Sequence, residues 1–218
     1  MNTKEVFLFD LDGTLTDSAP GVTRCVQYAL EDQGIHVEDT NDLLCFVGPP
    51  LQDSFRDFYG LTGEANARAG QKYRERYGKI GYLENSVYDG IKELLEDLKA
   101  HGKKVCVATS KGQQIAKKVL DHFELMPYLD VLCGSQEGRD DSKIDVMRMA
   151  LEKAEVSDYA DAVMIGDRHF DIDASKALGL ESVGVYYGGC AEEGELEKAG
   201  ADKIVRTVKE LHEFLISL

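Results

Sequence analysis

Residues 6–9 read Val-Phe-Leu-Phe, an unbroken apolar run that stops at two carboxylates, Asp10 and Asp12, with Gly13 and Thr14 turning the chain afterwards. Such a run, bounded by turn residues, is the pattern of a strand buried on both faces. From about residue 86 onward, similar runs alternate with helical spacing. Apolar positions three and four apart predict helices over 89–100, 113–123, 143–154 and 172–178, and short apolar runs predict strands over 104–109, 129–133, 162–165 and 182–186. Residues 201–205 with 208–218 complete the alternation. This order implies right-handed crossovers and a parallel sheet with helices on both faces.

Residues 17–85 break the pattern. They hold helical candidates at 21–33, 51–59 and 66–77 but no strand alternation. The predicted organisation is therefore an α/β, Rossmann-like parallel-sheet core from 1–16 and 86–218, with an all-helical domain over 17–85 inserted after the first strand. An insertion there covers the crevice where open α/β sheets bind ligands.

The end of the first strand is chemically loaded. Residues two apart on a strand share a face, so Asp10 and Asp12 would crowd together if extension persisted. Beside an apolar strand, that repulsion makes sense when a divalent cation neutralises it and one carboxylate does chemistry. The formal net charge of −15 argues against a nucleic-acid or anionic-membrane partner, whose phosphates would be repelled. It leaves room for a small phosphorylated substrate, which answers to local charge. No run approaches the roughly 20 apolar residues of a membrane span. The opening Met-Asn-Thr-Lys-Glu has no signal-peptide segment, and the 5 cysteines are scattered without metal-knuckle spacing. Reduced thiols and a cytoplasmic location are expected.

Four signals fall at predicted strand ends or helix starts: Asp10-Leu11-Asp12-Gly13-Thr14, Thr109-Ser110-Lys111, Lys143, and Gly166-Asp167-Arg168-His169-Phe170-Asp171. Each alone has an ordinary account as a cap, a surface lysine or a turn. In this order on a parallel sheet they are hard to attribute to chance. With them the chain resembles a haloacid dehalogenase (HAD) superfamily phosphohydrolase carrying a helical cap after the first strand. Further stretches are similar to the branch of phosphoglycolate phosphatases and 5′-nucleotidases. They are Phe46-Val47-Gly48-Pro49-Pro50-Leu51, Glu84-Asn85 with Tyr88-Asp89-Gly90, and Val107-Ala108-Thr109-Ser110-Lys111.

The resemblance implies a Mg²⁺-dependent phosphomonoesterase. Asp10 would be the nucleophile that forms an aspartyl-phosphate, and Asp12 the general acid and then base. Asp10, the backbone carbonyl of Asp12, and Asp167 would hold Mg²⁺, with Asp171 orienting metal-bound water or Lys143 from behind. Thr109 and Lys143 would bind and neutralise the transferring group, and Leu11, Gly13, Ser110 and Lys111 would line the phosphate. The expected partner is a small phosphorylated metabolite, first a nucleoside 5′-monophosphate and next phosphoglycolate, met by a monomer or homodimer. In the cap, Gly48, Pro49, Arg24, Arg56 and Lys72 are candidates for substrate specificity, beside Arg74 and Arg76. Tyr28, Phe46 and Phe58 could stack a base, although a helical domain also needs aromatic core. His169 reads as a loop residue, since Asp12 already fills the acid–base role.

The chain departs from its relatives in places. Ile144 follows Lys143 and Gly112 follows Lys111 where Pro is common. Asp173-Ala174-Ser175 and Tyr187-Gly188-Gly189-Cys190 replace more usual glycine patterns. These changes leave every core motif residue in place and bear on the subfamily. A phosphorylatable receiver domain is disfavoured by the acidic pair, the helical insertion and the late Gly166-to-Asp171 motif. A dehalogenase needs neither metal nor Asp12. A phosphomutase shares both aspartates and remains the closer rival.

Overall fold

The computed structural model describes residues 4–136, 139 and 141–218. In chain order the elements are β1 (Val6–Phe9), β2 (Thr16–Asp17), α1 (Ala19–Asp32), α2 (Leu51–Tyr59), α3 (Gly63–Tyr77), β3 (Ser86–Val87), α4 (Ile91–Ala100), β4 (Lys104–Gly112) and α5 (Gln113–His122). They continue with β5 (Val131–Ser135), α6 (Lys143–Lys153), β6 (Ala162–Gly166), α7 (His169–Leu178), β7 (Glu181–Val185), α8 (Glu195–Ala199), β8 (Lys203–Val205) and α9 (Val208–Ile216). Among these residues no helix is long and apolar enough to cross a membrane.

The chain divides into two compact units, one running through Thr16 and then over Val87–Leu218, the other over Asp17–Ser86. In the first, six strands form one sheet in the order β5-β4-β1-β6-β7-β8. Every neighbouring pair in this sheet is parallel. β1 lies at the centre, and all four of its residues are buried, which is why its sequence is apolar at every position. Successive strands are laid to one side of β1 and then the other, so the order reverses beside it and leaves a crevice at the strand ends. One face of the sheet packs Val6, Leu8, Cys106, Ala108 and Met164 against Val146, Met147, Ala150 and Leu151 of α6.

The register brings the motifs together. Phe9 pairs with Val107 on one side and Ile165 on the other. The next residues on the three strands therefore lead to Asp10, Thr109 and Asp167 at one edge. β4 runs past the expected 104–109 to Gly112, with an irregular register between Thr109 and Gly112. Gly134 permits this, because a Cβ there would lie 2.5 Å from the Lys111 carbonyl oxygen. α7 begins at His169, three residues before the periodic apolar signal at Ile172, because the Asp171 side chain accepts from Arg168 N at 3.1 Å and starts the helix.

The second unit is helical, with α1 and α3 tied by Arg68 to Asp32 (Nε–Oδ2 2.5 Å). α1 starts two residues earlier than its periodicity indicates because Pro20 is tolerated in the first turn. Phe46 packs against Phe55, Phe58 and Tyr59 at ring-centroid distances of 5.1, 5.6 and 5.9 Å.

Candidate active site

Asp10 directly follows β1, and its backbone N–H still donates to Ile165 O at 2.9 Å. After it the chain turns on itself: the N–H groups of Leu15 and Thr16 both donate to Leu11 O at 3.0 Å, and Gly13 N donates to Thr16 O at 2.8 Å. Gly13 adopts φ +79°, and a Cβ there would fall 2.1 Å from Asp167 Oδ2. The position thus requires glycine for both backbone and space. Within this turn the Asp12 side chain meets Lys111, with Nζ–Oδ2 2.8 Å.

Lys143 is set at the first turn of α6 by Ser142, whose hydroxyl accepts from Asp145 N at 3.3 Å while Asp145 accepts from Ser142 N at 3.1 Å. Its ammonium donates to Ala108 O at 2.7 Å and lies 2.9 Å from Asp10 Oδ1 and 2.7 Å from Asp171 Oδ1. Thr109 is buried, and its hydroxyl oxygen accepts from Lys111 N at 3.2 Å. Ser110 is held through its carbonyl, which accepts from the Ser135 hydroxyl at 3.0 Å. Asp167 is 1% exposed; its Oδ1 accepts from the Thr14 hydroxyl at 3.3 Å.

One carboxylate oxygen from each of Asp10, Asp167 and Asp171 lies within 4.8 Å of the other two. Asp167 Oδ2 and Asp12 Oδ1 are buried without a hydrogen-bond partner. Asp10 Oδ1 and Asp171 Oδ1 likewise lack one by hydrogen-bond geometry, although each stands within ion-pair distance of Lys143. At 2.9 and 2.7 Å Lys143 meets both oxygens with its charge and its N–H groups, and leaves room at each for a further partner. Four carboxylates (Asp10, Asp12, Asp167, Asp171) meet two ammonium groups, Lys111 and Lys143. Even with Arg168 acting on Asp167 the carboxylates outnumber the cations, and protons or a metal cation can offset the excess.

The protonation equilibria respond accordingly. Burial pushes the Asp10 carboxyl up to about 6, with Lys143 pulling the other way and Asp171 and Asp12 adding to the rise. Burial, then the neighbouring Asp171 and Asp10, holds Asp167 well above the usual carboxylate range. For Lys143, burial opposes the charged form, but Asp10 and Asp171 outweigh it and raise the ammonium pKa. An all-oxygen donor set with excess negative charge fits a hard divalent cation that keeps some of its water.

Two side chains at this edge were given no role by sequence reasoning, although Tyr187 departs from the usual glycine pattern. Glu195, on the five-residue helix α8, accepts at one oxygen from Arg168 Nε (2.9 Å), His169 N (2.9 Å) and His169 Nδ1 (3.0 Å). These bonds, with Arg168, hold its carboxyl at about 2 against the opposing effect of burial. Tyr187 donates its phenol to Thr14 O at 2.7 Å. Nothing local in the sequence joins residue 195 to 168 or residue 187 to 14, so no spacing signal could have found them.

The helical-unit candidates are engaged within that unit. Arg24 pairs with Glu84 (3.0 Å), Arg56 with Asp53 and Asp57 (2.7 Å each), and Lys72 with Asp32 (3.7 Å) and Glu75 (3.6 Å). Arg76 also meets Glu84, at 2.6 Å. Gly48 has φ +102° in the turn leading to Pro49. Phe46 is buried, whereas Tyr28 and Phe58 are exposed.

A family model described as haloacid dehalogenase-like hydrolase matches residues 7–185. A 5′-nucleotidase of Pseudomonas aeruginosa is 40% identical over 182 residues, covering 83% of this chain and 82% of that one. The tyrosine-protein kinase PtkA of Mycobacterium tuberculosis is 39% identical over 186 residues, covering 84% of this chain, which spans only 62% of the length of that relative. A solved structure from Clostridium acetobutylicum, described as a predicted phosphatase, is 44% identical with a TM-score of 0.95 over 100% of both chains. The chain belongs to the haloacid dehalogenase-like hydrolase family.

Proposed function

We propose that this chain is a Mg²⁺-dependent phosphomonoesterase working through an aspartyl-phosphate on Asp10. The observation that carries the reading is the buried cluster of Asp10, Asp167 and Asp171 around Lys143, at the edge where Asp12 and Thr109 also end. Asp10 Oδ attacks phosphorus while the bond to the leaving oxygen breaks, and Asp12 gives that oxygen its proton. Asp12 then takes a proton from water as that water attacks the same phosphorus, returning Asp10 as a carboxylate and releasing phosphate. Thr109, oriented by the N–H it accepts, donates its hydroxyl proton to a phosphate oxygen. Lys111 and Lys143 offset negative charge on the transferring group. Asp10, the Asp12 carbonyl and Asp167 would hold Mg²⁺, which when bound lets carboxylate and phosphate approach and stabilises charge on the transferred group. Asp171 keeps Lys143 in place through the 2.7 Å contact.

The first substrate choice is a nucleoside 5′-monophosphate, supported by the 40% identity to the Pseudomonas 5′-nucleotidase over most of both chains. Phosphoglycolate follows, supported by phosphoglycolate phosphatases such as that of Aquifex aeolicus at 27% identity. We assign substrate selection to the helical unit, with Gly48, Pro49, Arg24, Arg56 and Lys72 the residues to vary. The 39% identity to PtkA favours a second reading, transfer of a phosphoryl group to tyrosine.

The test is phosphate release from nucleoside monophosphates, phosphoglycolate and sugar phosphates, with Mg²⁺ or EDTA, beside Asp10→Asn. A parallel reaction supplies ATP and a tyrosine peptide. Metal-dependent release that disappears in Asp10→Asn is expected. Peptide phosphorylation without phosphate release from any monoester would replace the phosphatase reading by the second one.

A further inference from the structure

The Asp10–Thr14 turn carries both reacting carboxylates, yet much of its bonding is internal. Leu15 N and Thr16 N bond back to Leu11 O, and Gly13 N bonds to Thr16 O. Such bonds fix the shape of a turn without fixing where it sits. Its start is placed by Asp10 N on Ile165 O. The far end is placed from another part of the sheet. Tyr187 follows β7, two strands from β1 in the sheet order, and its phenol donates to Thr14 O at 2.7 Å.

Thr14 is fully buried, so no solvent replaces that donor if it is lost. The Thr14 hydroxyl in turn donates to Asp167 Oδ1 at 3.3 Å. The chain beside Tyr187 reaches the same turn: a Cβ on Gly188 would fall 2.2 Å from Gly13 O. Tyr88 backs the arrangement, with its ring edge-on to Tyr187 (centroids 5.1 Å apart, 72° between planes) and its N–H on Leu15 O at 3.3 Å.

We propose that Tyr187 is a positioning residue: its hydrogen bond to Thr14 O holds the Asp10–Thr14 turn, and through Thr14 the Asp167 carboxylate, in the geometry that receives a divalent cation. The inference rests on the cation site of the proposed function, and assigns to Tyr187 a part that the family motifs leave unassigned. Tyr187 touches neither substrate nor cation in this account. It acts by keeping the carboxylates of β1 and β6 at their mutual distance, as outer partners of metal ligands do.

The experiment uses the full chain with Tyr187→Phe, which keeps the ring and removes only the donor, and Gly188→Ala, which keeps the phenol and crowds the same turn. Mn²⁺ affinity, read from the electron paramagnetic resonance of the free ion, requires no turnover. It should weaken in Tyr187→Phe by up to about 10-fold, the lower end of the effect of losing a direct partner of a metal ligand, since Tyr187 reaches Asp167 through Thr14. It should weaken in Gly188→Ala as well. With p-nitrophenyl phosphate at saturating Mg²⁺, kcat should fall more than KM changes. Unchanged Mn²⁺ affinity in Tyr187→Phe overturns the proposal whatever the melting temperature does, and so does a wild-type chain that binds no Mn²⁺. Should Tyr187→Phe fail to fold, unchanged affinity in Gly188→Ala overturns it and weakened affinity supports it. A wild type that binds Mn²⁺ but releases no phosphate sinks the phosphatase reading alone, and the affinity comparison still decides on Tyr187.

Discussion

The Lys143 ammonium lies 2.9 Å from Asp10 Oδ1, and both side chains are less than a tenth exposed. A buried pair of this kind contributes little net stability compared with an apolar pair, but removing one partner is costly because the other is stranded. Asp171 Oδ1 lies 2.7 Å from the same ammonium, so the lysine answers to two carboxylates at once.

Lys143→Met should therefore destabilise the metal-free chain by about 3–5 kcal/mol at pH 8, the range for a stranded buried charge. Combining it with Asp171→Leu should recover part of that loss, because the double variant buries one charge fewer. Urea unfolding of the two single variants and the double variant measures both effects. A Lys143→Met loss below about 1 kcal/mol would show that the ion pair is not what holds this edge together.

The share of metal-free stability that Asp10 and Asp167 contribute should fall as pH rises through the acid range, against the opposite trend of lowered carboxyls such as Glu195. Asp10 moves from an ordinary 3.8 to about 6 in the fold, and Asp167 moves in the same direction. A carboxyl whose folded pKa is raised contributes stability that is complete below its unfolded value and is lost as pH climbs through the folded one. Between pH 4 and 6 the Asp10 contribution alone corresponds to about 3 kcal/mol at most. Mg²⁺ takes over the role of the lost protons, so it should raise the melting temperature more at pH 8 than at pH 5. Equal Mg²⁺ shifts at the two pH values would contradict this account.

Gly13→Ala places a methyl 2.1 Å from Asp167 Oδ2 on a backbone at φ +79°. The left-handed conformation costs about 1–2 kcal/mol for a residue with a Cβ. The displaced turn should lower phosphate release by about 10²-fold, the scale of a 1 Å misplacement. Activity within twofold of wild type would mean that the turn is not held as described.

Glu195→Ala should destabilise by about 1–3 kcal/mol, since it strands the N–H groups of Arg168 and His169. Glu195→Gln, which keeps an acceptor, should lose less. With the Glu195 carboxyl lowered from 4.5 to about 2, its contribution is present above the unfolded value and lost as pH falls toward 2. The gap between wild type and Glu195→Ala should thus close in that window. A gap that stays constant from pH 6 to pH 2.5 would assign the effect to packing alone.

The apolar run Val6–Phe9, the strand–helix alternation after residue 86 and the helical stretch between are one-dimensional patterns. They carry the parallel sheet because burial on both faces forces it. The placement of Asp10, Asp12, Thr109, Lys143, Asp167 and Asp171 has a related cause: each lies in or shortly beyond the end of a strand or in the first turn of a helix, so the sheet register brings them to one edge. The helix starts were less legible. α7 opens at His169 because Asp171 caps it, and that capping depends on a polar side chain that periodicity cannot weigh.

From the sequence alone come the doubly buried central strand, the helical stretch between its two α/β segments, and the set of acidic and basic groups at the strand ends. Local chemistry fixes these, since periodicity and turn residues act within a few positions. Only the tertiary structure decides that Asp12 turns to Lys111, that Lys143 is shared by Asp10 and Asp171, and that Arg24, Arg56 and Lys72 are met by carboxylates. It alone brings Tyr187 to Thr14 and Glu195 to His169. Those partners are separated by 173 and 26 positions, and no local preference carries information over such distances. What joins them is the order of strands in the sheet, which sets the loops after β1, β6 and β7 side by side.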